Sequence, residues 1–83
     1  MKIEQIGDPI RVLASFSGGT AEPLRFRWNN RTYRVDRVNA RWIDRQCDGY
    51  CLHYSVQVGD DTYYLHFVSG EVQWWLDQVA MEG

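Results

Sequence analysis

Apolar and polar residues alternate along most of this chain. In LRFRW (24–28), TYRV (32–35) and LHYSVQV (52–58), every second position is apolar. A period of two marks a strand with one buried face, and no useful stretch repeats at the 3.6-residue spacing of a helix. The pattern predicts six or seven strands, over about 10–16, 23–28, 31–38, 40–46, 51–58, 61–68 and 71–79. KIEQI at the N-terminus is compatible with a short edge strand, and SGGTAE (17–22) and CDGY (47–50) read as loops.

Three turns set the register. Asn29-Asn30 as a two-residue turn pairs Trp28 with Arg31, Phe26 with Tyr33, Leu24 with Val35, and Arg25 with Arg34 on the reverse face. Gly59-Asp60 pairs Val56 with Tyr63, Tyr54 with Leu65 and Leu52 with Phe67, and sets His53 opposite His66. A slip of one residue would move each apolar set to the solvent face, so both registers are well specified. Taking Ser69-Gly70 as a third such turn pairs Leu65 with Trp74, Tyr64 with Trp75 and His66 with Gln73. The adjacent tryptophans then divide, Trp74 into the core and Trp75 onto the outer face. Hairpins sharing one apolar face need cover, and Ile10, Val12, Ala14 and Phe16 of the first strand can supply it. The expected fold is all-β. It is a single-domain antiparallel meander over residues 1–83, strongly bent or a half-barrel.

Composition adds limits. A chain of 83 residues has a modest core, and its 14% aromatic content compensates. Cys47 and Cys51 lack the spacing of a metal-binding CxxC pair, and a reduced pair is expected over a disulfide. The start carries no apolar run of the kind that targets or anchors a chain, so the expected location is cytoplasmic, with no membrane partner.

The net charge of -2 hides an asymmetry. Residues 23–45 hold seven arginines and two acids, whereas 46–83 hold six acids and no lysine or arginine. Arginine suits bidentate contacts with carboxylate or phosphate. Arg25 and Arg34, opposed across a hairpin, repel unless an anion lies between them.

Chemistry is sparse. Asp60 and Asp61 fall in a turn, where acids serve the backbone. No acid orients His53 toward Ser55, and SFSGGT lacks the lysine of a phosphate loop. Cys51, His53 and His66 share one side of a hairpin and are the nearest approach to a metal site. No fourth ligand is evident, so neither metal nor other cofactor is expected. No catalytic residue emerges. The surface that remains is an interaction patch of Tyr64, His66 and Trp75 beside Arg25, Arg27 and Arg34, residue types enriched at interfaces. It points first to a non-catalytic protein-interaction or self-assembly module and second to an accessory nucleic-acid-binding domain.

The run of Phe26, Trp28, Arg31, Tyr33 and Val35, followed by Trp42, by Tyr63-Tyr64-Leu65 and by the closing Trp74, Trp75 and Leu76, resembles small bacterial domains of the DUF6504 type. The resemblance covers roughly residues 22–80. Related segments stand alone or at the C-terminus of proteins similar to Y-family translesion polymerases. The resemblance implies an accessory role in DNA repair and no enzymatic activity.

Overall fold

A computed structural model of the chain describes residues 1–82. It contains seven strands: β1 (Lys2–Ser17), β2 (Thr20–Trp28), β3 (Arg31–Arg34), β4 (Arg37–Asp44), β5 (Cys51–Val58), β6 (Asp61–Val68) and β7 (Gln73–Met81). All neighbours are antiparallel, in the order β3-β2-β1-β7-β6-β5-β4. The sheet curls into a half-barrel, as the alternation predicts. Among the described residues no helix is long and apolar enough to cross a membrane.

The strand that makes the curl is β1. Its first part, Lys2 to Ile10, pairs with β7, and its second, Arg11 to Ser17, pairs through the other edge with β2. KIEQI is thus the start of this long interior strand rather than an edge. Two irregularities bend it. Gly7, at φ 73°, sits in a bulge opposite β7, where a glycine tolerates the left-handed conformation. Farther on, Leu13 pairs with Arg25 but Ala14 with Pro23, so Leu24 is the extra residue of β2. Leu24 therefore turns outward, 47% exposed, while Pro23 and Ala21 are buried in its stead. The expected place of Leu24 on the apolar face is corrected by this bulge.

The curl brings two apolar faces together. Phe26 stacks on Tyr33 at 5.0 Å, and both rings meet Tyr63 at 5.3 Å. Trp74 packs between Tyr54 (5.5 Å) and Phe67 (5.2 Å), and Phe16 lies edge-on to Phe67. The Tyr54 hydroxyl donates to the Ala21 carbonyl, and Trp28 Nε1 donates to Asp8 at 2.9 Å. The chain passes from one layer to the other at Val35-Asp36. There Asp36 N donates to the Gln57 carbonyl, and the Asp36 carboxylate accepts from Gly59 N, both at 2.8 Å.

Two of the three hairpin registers are as expected: Phe26 opposes Tyr33, Arg25 opposes Arg34, Tyr54 opposes Leu65, and His53 opposes His66. SGGTAE is no loop. Gly18 and Gly19, both at positive φ, form a two-residue turn, and β2 begins at Thr20. The third register is corrected. Ser69 to Val72 form a four-residue turn, so Phe67 opposes Trp74, His66 opposes Trp75 and Leu65 opposes Leu76. The shift is two residues, which keeps Trp74 and Leu76 on the core face and Trp75 on the outer one, whereas Val72, expected opposite Phe67 on the core face, lies in the turn and is 77% exposed. Trp74 is buried, and Trp75 is on the outer face.

Cys47 and Cys51 form a disulfide, against the expected reduced pair. They flank a tight loop that clasps the β6–β7 turn. Ser69 N donates to Tyr50 O at 2.9 Å, Gly70 N to Asp48 O at 2.8 Å, and Tyr50 N to Ser69 Oγ at 2.8 Å.

Candidate functional site

On the outer face of β4–β7, one row of side chains crosses all four strands. The register sets Trp42 opposite His53, His53 opposite His66, and His66 opposite Trp75. Their rings stack in series, with centroids 5.3, 5.2 and 6.4 Å apart and interplanar angles of 3°, 26° and 13°. Side chains stand roughly perpendicular to a sheet. Neighbouring strands about 4.8 Å apart therefore hold flat rings face to face. Each imidazole is sandwiched, with its edge left toward solvent.

A carboxylate sits at each histidine. Both oxygens of Asp77 lie 2.8 Å from His66 Nδ1. A carboxylate only accepts, so this contact places a proton on Nδ1. Asp44 approaches His53 Nε2 at 3.9 Å. The position of Asp77 follows from local backbone. Leu65 pairs with Leu76 but Tyr64 pairs with Gln78, which leaves Asp77 as a bulged residue. Alternation from Trp75 through buried Leu76 already puts Asp77 on the outer face beside His66, and the bulge lets Gln78 follow it on that face opposite Tyr64. Tyr64 stays on this face but opposes Gln78, not Trp75 as expected. Cys51 is removed from any ligand set because its sulfur is committed to Cys47.

Burial between the rings disfavours a charged imidazole at His53 and lowers its pKa below the ordinary 6.5. The neighbouring His66 acts in the same direction, and Asp77 and Asp44 oppose it. The folded state thus prefers neutral His53. Well above pH 6.5 neither folded nor unfolded chain protonates this group, and its contribution to stability is complete. As pH falls below 6.5 the unfolded chain takes up the proton first, and stability drops until the folded-state pKa is passed. Urea unfolding at a series of pH values in chelator-treated buffer is expected to show this loss. His53→Gln should flatten that part of the profile; an unchanged profile would assign the loss to other groups.

The arginines lie elsewhere. Arg27 opposes Arg11, and Arg25 opposes both Leu13 and Arg34, so Arg11, Arg25, Arg27 and Arg34 share the outer face of β1–β2–β3. All four are exposed, and among the described residues no carboxylate lies within 4.0 Å of any of them. The inner faces of the two layers meet through Phe26 and Tyr63, so their outer faces look in opposite directions. The single patch expected from sequence is therefore two. Tyr64, His66 and Trp75 are on one side of the molecule, and Arg25, Arg27 and Arg34, joined by Arg11, are on the other. An open cleft of about 510 Å³ separates the β1–β2 tip from the end of β4, lined by Phe16, Ile43, Tyr50, Leu52 and Phe67. Only Arg45 brings charge to it, and no set of polar groups converges there.

Comparison of the chain with protein-family models, with curated proteins and with solved structures finds no match. The functional reading therefore rests on the residues themselves.

Sequence reasoning missed Arg11, Trp42 and Asp77. Arg11 was within reach, because reading Gly18-Gly19 as a hairpin turn brings β1 against β2. Trp42 depends on a six-residue connection, Arg45 to Tyr50, that no simple turn rule sets in register. Asp77 lies on the outer face by alternation with Trp75, but the expected pairing of His66 with Gln73 set it too far along the strand, and the four-residue turn brings it beside His66.

Proposed function

We propose that this chain is a non-catalytic binding domain whose arginine face docks an acidic segment of a partner protein. The observation that carries the reading is the set of four exposed arginines on one sheet face, with no carboxylate within 4.0 Å of any of them among the described residues. Like charges directly opposed across strands cost stability, and a carboxylate-rich partner relieves that cost through bidentate contacts. Nucleic-acid binding, which the DUF6504 resemblance supports, is the competing outcome. The face offers Leu13 and Thr32 between its arginines and no aromatic ring, so it lacks the stacking platform of single-strand binders. Self-association has less support, because the acids of the chain are dispersed. Asp60, Asp61 and Glu82 lie at one end of the strands, and Asp48 and Glu71 at the other. The disulfide favours an oxidising compartment over the cytoplasm expected from sequence.

Fluorescence anisotropy with a Glu/Asp-rich peptide and with single- and double-stranded oligonucleotides, across a salt series, tests the reading. The acidic peptide is expected to bind, and replacing Arg25, Arg27 and Arg34 together by alanine should weaken it at least about tenfold. Oligonucleotide binding is expected to be negligible at about 0.15 M salt, where the Debye length is about 8 Å. Sub-micromolar oligonucleotide binding there, with a log–log salt slope near about -3.6 for four phosphate contacts and no peptide binding, would replace this reading with the nucleic-acid one.

A further inference from the structure

The ring ladder on the opposite face has chemistry that the arginine reading does not use. One nitrogen from each of His53 and His66 and one oxygen of Asp77 lie within 4.8 Å of one another. We propose that these three side chains form a binding site for a divalent transition-metal ion of the zinc type.

Four observations support it. The first is ligand type: two imidazoles and a carboxylate match the preference of zinc and its neighbours, and three protein ligands leave a position for water. The second is spacing. Ligand atoms around a tetrahedral zinc ion, each about 2.0–2.1 Å from the metal, are roughly 3.3 Å apart. His66 Nδ1 and the Asp77 oxygens, now 2.8 Å apart, need little movement to admit the ion. One nitrogen of His53 lies within 4.8 Å of the other two ligand atoms; to close the set its ring tilts out of the stack toward His66, because an imidazole binds an ion in its own plane. The third is rigidity. Trp42 and Trp75 flank the two imidazoles from either side, which limits the side-chain freedom lost when the ion binds. The fourth is charge. Asp77 and Asp44 bring two carboxylates to the two histidines, a charge that a divalent ion balances. No lysine or arginine forms an ion pair with either acid among the described residues.

The ion replaces the Nδ1 proton of His66, which moves to Nε2 of the same ring, so this tautomeric change releases no proton. Asp44, 3.9 Å from His53 Nε2, lies close enough to orient His53 without itself being needed as a ligand. The third ligand is thus Asp77, which the β6–β7 register sets beside His66 in place of Cys51.

The test is calorimetric titration of the chelator-treated full chain with Zn2+, alongside NMR of the histidine ring nitrogens. One ion per chain with a roughly micromolar dissociation constant is expected for an open three-ligand site. His66 should switch from the Nδ1–H to the Nε2–H tautomer on saturation. His53→Gln and His66→Gln should each weaken binding by about 100-fold or more, Asp77→Asn by at least about 10-fold, and Asp44→Asn by less. All four side chains lie outside the core, and circular dichroism checks that each variant stays folded. No binding by about 1 mM Zn2+ would overturn the proposal. So would binding unchanged in folded His53→Gln and Asp77→Asn, or saturation without the tautomer switch.

Discussion

Replacing Trp74 by alanine is expected to cost about 3–5 kcal/mol, a large share of the stability of so small a domain. Trp74 is 7% exposed and fills the space between Tyr54 and Phe67. Those neighbours are held by strands on both sides, so the cavity left behind cannot collapse easily. Trp75→Ala is expected to cost less than half as much. It removes one stacking partner of His66 at 6.4 Å and leaves the core intact. Equilibrium urea unfolding of both variants, followed by circular dichroism, checks the pair. Equal losses would mean that the two tryptophans do not divide between core and surface as the fold requires.

The second large effect is expected at two glycines that meet across the clasp. Gly70 has an ordinary φ, but a Cβ there would run into the carbonyl oxygen and carboxyl group of Asp48. A Cβ on Gly49 would strike Ser69 Oγ and come within 3.0 Å of Gly70 N, and its φ of 86° disfavours any side chain. Alanine at Gly70 or Gly49 should therefore cost about 1–3 kcal/mol by forcing the loop off the turn. Gly18→Ala is the control. It has φ 58° and open space around it, so it should show only the left-handed backbone cost, about 1–2 kcal/mol. Hydrogen exchange separates the two mechanisms. The amides of Tyr50, Ser69 and Gly70, bonded across the clasp, should lose protection in Gly70→Ala and keep it in Gly18→Ala. Retained protection in Gly70→Ala would show that the loop accommodates the methyl group.

Gly70 also shows where the sequence was legible and where it was not. Next to Ser69 and between two apolar runs it reads as half of a two-residue turn. Its smallness serves a contact with a loop more than twenty residues earlier, and alternation carries no record of that contact. The turn is longer than it reads, but the error is an even number of residues, so the division of Trp74 and Trp75 was still recovered. Where a turn was short and carried its own signal, as at Asn29-Asn30 and Gly59-Asp60, the pairing could be read residue by residue. The candidate metal site was half visible for the same reason. His53 and His66 face each other across one such hairpin. Asp77 falls on the same face as Trp75 by alternation, but it comes next to His66 only in the shifted β6–β7 register, and the disulfide that removes Cys51 depends on the path of the intervening loop.

The position of β1 bears on how the chain reaches this state. Lys2 lies opposite Met81, and Ile10 opposite Trp74, so the interior of the sheet is sealed by segments from opposite ends of the described chain. The two-residue hairpins can zip up as soon as each is synthesised. The β1–β7 seam cannot form until residues 73–81 have left the ribosome, and it closes a loop of nearly the whole domain. Non-local pairing of this kind is slow. Until it occurs, β1 carries an open hydrogen-bonding edge, and the apolar face that awaits Trp74, Leu76 and Val79 stays wet. A nascent chain stalled before residue 73 is in that condition, with the aggregation hazard of an unpaired strand.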